Sequence, residues 1–147
     1  MEIELKLLLN PDDAEALRRH PLLSQYAAGP AREQQLSDIY YDTPGREFRQ
    51  GGAGLRVRRV DGAWIQTLKG GGDAAGGLHR RQEWESPVPS EVPDLAALRK
   101  LVGRKDACGA LLRSSTAAGS LVPVFSTDVV RTLWDLVLPN GDTVEMA

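Results

Sequence analysis

The sequence predicts a mainly β fold, α+β in class, in which antiparallel strands close into a barrel with a polar lumen. Three observations predict it. From Glu2 to Leu7 charged and apolar residues alternate strictly, so the two-residue period of a strand sends Glu2, Glu4 and Lys6 to one face and Ile3, Leu5 and Leu7 to the other. The device recurs in Leu55-Arg56-Val57-Arg58, with two guanidinium groups on one face, and in Arg81-Gln82-Glu83-Trp84-Glu85, with a mixed-charge triplet. Asp61-Gly62, between runs at 55–60 and 63–69, is the strongest hairpin signal in the chain. Several strands that each carry one charged face suit a polar-centred barrel better than a sandwich with an apolar core.

The remaining elements follow in order. Asn10-Pro11-Asp12-Asp13 reads as a helix start, with Asn as cap, Pro in the first turn and two acids at the positive end, and the helix should stop at His20 before Pro21. His20 is then a surface residue without chemistry. Residues 34–42 read as a strand that Tyr40-Tyr41-Asp42-Thr43-Pro44 ends in a turn, with Asp42 as the turn cap. The run Gly70-Gly71-Gly72-Asp73-Ala74-Ala75-Gly76-Gly77 lacks the following Lys-Ser/Thr of a phosphate-cradling loop and reads as a flexible hairpin loop. His79 behind it is assigned no role. Residues 90–102 form an amphipathic helix from Pro93-Asp94, with Leu95, Leu98, Leu101 and Val102 as core, and 105–112 continue helically. Residues 114–120 read as a small-residue loop, 125–138 as a strand, and Pro139-Asn140-Gly141-Asp142 as the turn into a final strand at 143–147.

A chain of 147 residues that is 41% hydrophobic can bury a core as a single domain, 1–147. The net charge of −2 argues against a protein that coats nucleic acid. The distribution says more, because from Arg46 to Arg81 eight Lys or Arg stand against three acids, a local excess of five positive charges. A compact polyanion fits such a stretch, although a solvated basic face has the same composition. Cys108 is the single cysteine, so an internal disulfide is excluded and a reducing, cytoplasmic location is expected. No secretion signal is evident and no apolar run approaches membrane-spanning length, so a membrane partner is not expected.

The candidate chemistry starts at Glu2 and Glu4. A solvated edge strand alternates too, but carboxylates at i and i+2 lie roughly 7 Å apart, close enough to share a hard divalent cation or its waters. Taken with Tyr40-Tyr41-Asp42-Thr43, Leu55-Arg56-Val57-Arg58, Thr67-Leu68-Lys69, Gly77-Leu78-His79-Arg80-Arg81-Gln82-Glu83, Phe125-Ser126-Thr127 with Arg131, and Val144-Glu145-Met146-Ala147, the N-terminal Glu2-Ile3-Glu4-Leu5-Lys6 resembles the CYTH domains, or triphosphate tunnel metalloenzymes. The motifs run in order over the whole chain. Their spacing is most similar to the bacterial inorganic triphosphatases of that family, which often carry a helical CHAD domain that is not expected within these 147 residues.

The resemblance implies an antiparallel eight-stranded tunnel that holds a triphosphate with Mg²⁺ or Mn²⁺. It implies metal binding by Glu2 and Glu4, phosphate binding by Lys6, Arg56, Arg58 and Arg131, and a catalytic role near the reacting end for Lys69 and Glu83. Such a site is chemically coherent, since a triphosphate carries several negative charges that need fixed cations and a metal, and the metal needs carboxylates. Arg81 and Glu85 share the face of Glu83 and are expected to pair with each other; Arg59 is expected to face outward. The family continues beyond this chain's last motif with a Leu-Asp-x-Gly turn and a Glu-x-Glu strand. The expectation is therefore a C-terminally truncated barrel with open strand edges, for which pairing with a second copy is one remedy.

The activity implied is metal-dependent hydrolysis of tripolyphosphate to diphosphate and phosphate. Alternatives are a nucleoside or thiamine triphosphate as substrate, including an adenylate cyclase, and a non-catalytic module that binds polyphosphate or a nucleotide.

Overall fold

Asp61 and Gly62 take φ of 49° and 83°, left-handed at both central positions of a two-residue turn, and so join β3 (Ala53–Val60) to β4 (Ala63–Ala75). This computed structural model describes residues 2–114 and 121–147, and for Glu2, Asp73 and Ala74 the backbone alone. Most of the expected loop at 114–120 lies outside the described residues. The other strands are β1 (Glu2–Leu5), β2 (Arg32–Asp42), β5 (Leu78–Val88), β6 (Val122–Val137) and β7 (Thr143–Met146). The fold is thus mainly antiparallel β. Seven strands are present among the described residues, against eight in the full tunnel that the resemblance implies and the C-terminally truncated set expected of this chain.

The chain divides into two compact units, Met1–Lys6 with Leu36–Asp128, and Leu7–Gln35 with Val129–Ala147. Strands β2 and β6 pass through both. In the first unit the hydrogen-bonded order is β1-β5-β4-β3-β2-β6. In the second, β6 pairs with β7 from Trp134↔Met146 to Val137↔Thr143.

Two departures from the sequence reading matter. The glycine run is not a flexible loop: β4 continues through it to Ala75 with a register shift between Gly70 and Asp73, and the turn is made by Gly76 and Gly77 at φ of 56° and 84°. A side chain on Gly72 would collide with the Arg80 carbonyl, so the bulge requires glycine there. The helix expected from Asn10 to His20 is a 3₁₀ turn, Pro11–Asp13, then α1 (Ala14–Arg18), and a further helix α2 (Pro21–Tyr26) follows. Pro21 starts that helix rather than simply ending the previous one, and His20 caps it by accepting from the Leu22 amide at 3.3 Å.

The core of the first unit lies on the sheet face opposite Arg56 and Arg58. Leu55 and Leu68 from β3 and β4 pack there with Phe48 of α3 (Glu47–Gln50), Leu98 of α4 (Leu95–Leu101), and Cys108 and Leu112 of α5 (Ala107–Arg113). Local chemistry sets each helix start. Asp94 and Asp106 cap α4 and α5, and buried Asp42 accepts amides from Thr43, Phe48 and Arg49 to fix α3. Gln66, fully buried, donates to Ser86 Oγ and the Asp94 carbonyl and accepts the Asp94 amide, which ties the start of α4 to the sheet.

In the second unit the Ala28 amide donates to the Asp135 carbonyl at 2.8 Å and Arg32 pairs with the Asp135 carboxylate at 2.8 Å. Leu23 and Leu133 are its buried apolar residues. No helix of the described residues is long and apolar enough to cross a membrane.

Candidate triphosphate site

The alternation that buries Leu55, Val57 and Leu68 on one face of the sheet sends Arg56, Arg58, Thr67 and Lys69 to the other. Register does the rest. Tyr40 faces Arg56, Arg56 faces Thr67 and Thr67 faces Glu85, forming one row across β2, β3, β4 and β5; in the next row Lys69 faces Glu83. Lys6 reaches the same region because its amide donates to the Gly77 carbonyl at 2.9 Å, extending the pairing of β1 with β5 by one residue.

On this face lies a cavity of about 510 Å³ lined by Lys6, Arg56, Lys69 and Arg81, with Tyr40, Thr67 and the glycines Gly71 and Gly72 among the rest. That volume suits a small polyvalent ligand, since such sites commonly span ~300–1,000 Å³. Among the described residues, four cations and no carboxylate line it.

The cations differ in how they are held. Lys69 Nζ lies 3.2 Å from Glu83, and Lys6 Nζ lies 3.4 Å from the exposed Glu4 carboxylate. Arg58 is clasped by Asp38 through bonds from Nε at 2.7 Å and Nη2 at 2.8 Å, while Arg56 lies 3.6 Å from the same carboxylate. The bonds to Asp38 raise the Arg58 pKa above its ordinary value, against the opposing effect of burial. Arg56 also donates from Nη2 to Thr67 Oγ1 at 3.3 Å, but its buried Nε has no protein acceptor. A buried guanidinium N–H beside a cavity is the arrangement expected of a side chain that completes its bonding with an anion.

Of the residues singled out by sequence, the cavity therefore unites Lys6, Arg56 and Lys69, with Glu4 and Glu83 each held against one of its lysines. Arg58 stands two residues along β3 and is not among the lining residues. Arg131 lies in the second unit, where it donates to Gln34 at 2.8 and 3.0 Å and stands 3.9 Å from Glu145. The side chain of Glu2 is outside the described set. Among the described residues no three His, Cys, Asp or Glu side chains converge as a metal cluster.

One expectation is corrected. Arg81 lines the cavity, whereas Glu85 accepts from Thr67 Oγ1 at 2.8 Å. Residues four apart on one strand are ~13 Å apart, whereas cross-strand neighbours lie ~5 Å apart, so Glu85 finds its partner on β4. Arg59 behaves as expected and covers Trp64 at 5.7 Å on the outer face. Asp38 is not singled out by sequence, and Thr67 and Tyr40 stand in the quoted motifs without a site role; Tyr40 is stacked on Phe125 with ring centroids 4.4 Å apart.

A family profile for the CYTH domain matches residues 1–146. The chain belongs to the CYTH domain family. As a CYTH chain it is 36% identical over 147 residues to the inorganic triphosphatase of Haemophilus influenzae, a match that covers 99% of this chain and 38% of that protein. It thus spans less than two-fifths of that relative's length. Among solved structures it is similar to HpAC1 from Hippeastrum, described as revealing a dominant triphosphatase activity, with a TM-score of 0.64, 21% identity, and coverage of 99% of this chain and 71% of that one. That likeness shows the CYTH fold.

Proposed function

We propose that this CYTH domain binds and hydrolyses inorganic tripolyphosphate in the cavity lined by Lys6, Arg56, Lys69 and Arg81. The observation that carries the reading is the convergence of these four cations, one with an orphaned buried N–H, on a single polar cavity. A triphosphate is the ligand whose charge matches them. Arg56 and Arg81 would take phosphate oxygens in forked contacts and the lysines as point charges. Glu83 would act through Lys69 by holding the ammonium toward the cavity, and Arg58 and Arg131 are proposed as further phosphate-gripping groups.

The donor chemistry fits Mg²⁺ or Mn²⁺, because Glu4 offers hard carboxylate oxygens beside cavity-lining Lys6 and such ions are commonly held by one or two carboxylates together with substrate phosphates. Glu4, with Glu2, would hold the ion. Bound there, it would supply charge neutralisation on the phosphate oxygens and a more acidic water. In the reaction, water attacks the terminal phosphorus in line, the bond to the bridging oxygen breaks, diphosphate leaves with that oxygen, and the proton that the attacking water loses passes to solvent. The cavity cations stabilise the charge on both fragments.

The exposed Phe125 ring, stacked on cavity-lining Tyr40, favours one second reading, a nucleoside triphosphate whose base extends the aromatic stack. Phosphate release from tripolyphosphate and from ATP, with and without Mg²⁺ or Mn²⁺, on this chain and on Glu4→Gln tests both. Metal-dependent turnover of tripolyphosphate that collapses in Glu4→Gln is expected. Preference for ATP would move the assignment to the nucleotide, metal-independent turnover would contradict the role given to Glu4 and its ion, and absent turnover would contradict hydrolysis.

A further inference from the structure

A second group of cations lies on the helices. Arg99 and Lys100 of α4, Arg104 of the connection, and Arg113 of α5 line an open cleft of about 520 Å³. Two of the four are fixed by a mutual clasp. Arg99 Nε donates across to the Leu112 carbonyl at 2.7 Å, and Arg113 donates back to the carbonyls of Arg99 at 2.6 Å and Val102 at 3.0 Å, as well as to Gly109 at 2.7 Å. The approach is close enough that a side chain at Gly109 would collide with the Gly103 carbonyl and crowd the Arg113 guanidinium.

Helix capping accounts for part of this. The carbonyls Arg113 takes from α4 belong to the last turn of that helix, where unpaired carbonyls attract cations. Capping does not account for Lys100 and Arg104, which make no hydrogen bond or ion pair among the described residues, nor for the absence of any carboxylate partner for all four. The neighbouring acid, Asp106, is occupied by the Cys108 amide at 2.8 Å. Two immobilised guanidinium groups and two exposed cations therefore face one cleft without a counterion among the described residues.

We propose that this cleft is a second anion site, separate from the cavity, and that its ligand is a condensed inorganic phosphate. A chain of closely spaced phosphate oxygens can engage several cations of one cleft at once. Among the described residues, the lining includes no aromatic side chain on which a base would stack and no apolar side chain to enter a bilayer, which disfavours single-stranded nucleic acid and a membrane surface. The inference does not rest on the catalytic reading.

The test is a calorimetric titration of inorganic tripolyphosphate, without metal, into the full chain, into Arg56→Ala, and into a Lys100→Ser/Arg104→Ser variant that leaves the clasp of Arg99 and Arg113 in place. Two sites are expected in the unaltered chain. The helix variant should lose one, with affinity there lowered roughly tenfold or more for each cation removed, while tripolyphosphate turnover is unchanged; Arg56→Ala should lose the other. One site in the unaltered chain that is lost in the helix variant and kept in Arg56→Ala would support this proposal and sink the cavity. Equal stoichiometry and affinity in the helix variant would overturn it, as would loss of uridine oligonucleotide or anionic vesicle binding in that variant with tripolyphosphate binding intact.

Discussion

The cavity and the helical cleft each assemble four cations, yet they hold them by opposite means. In the cavity Lys6, Arg56 and Lys69 lie 3.4, 3.6 and 3.2 Å from carboxylates of Glu4, Asp38 and Glu83. In the cleft Arg99 and Arg113 are held by backbone carbonyls, and among the described residues neither pairs with a carboxylate. Carboxylates aim a cation and offset its charge; carbonyls aim it and leave the full charge in place. Counting positive residues thus says little about how strongly a site attracts an anion until the partners are known.

The largest effect expected from this contrast is on rate. Arg56→Ala should lower tripolyphosphate turnover by ~10²–10³-fold, as for loss of one donor aimed at developing charge, whereas Arg99→Ala should leave turnover unchanged. Steady-state phosphate release on the two variants checks it. Next comes stability. Asp38→Ala strands Arg56 and Arg58, which are only 13% and 21% exposed, without their shared carboxylate, and should destabilise the fold by about 3 kcal/mol in urea unfolding.

The smallest effect lies on the helical side. Burial, with Asp106 nearby, pushes the Cys108 thiol from 9.0 up to about 11. The unfolded chain therefore releases this proton first, so stability should fall as pH rises from about 9 towards 11 and be unaffected below. Cys108→Ala should flatten that part of a stability-against-pH curve.

Much of this architecture was legible in the sequence because it is local. Alternation gave the faces of β3 and β5, Asp61-Gly62 gave its turn, and Pro93-Asp94 gave the start of α4. Register is what local pattern does not contain. The Asp38 clasp on Arg58 depends on the pairing of β2 with β3, and the partnership of Glu85 with Thr67 on that of β4 with β5. Both were missed, and Arg81 was misassigned with them. The glycine run was read as a loop because a bulge breaks the two-residue period from which strands are recognised. The motif resemblance named Lys6, Arg56 and Lys69, which line one cavity, and Arg131, which bonds Gln34 in the second unit.

The central claim is that Lys6, Arg56, Lys69 and Arg81 together hold a triphosphate. A crystal structure of this chain soaked in tripolyphosphate tests it most directly. The account predicts phosphate density in the cavity, with oxygens within hydrogen-bonding distance of Arg56 Nε and of the Lys69 ammonium. Density confined to other surfaces, with this cavity filled only by water, would contradict it.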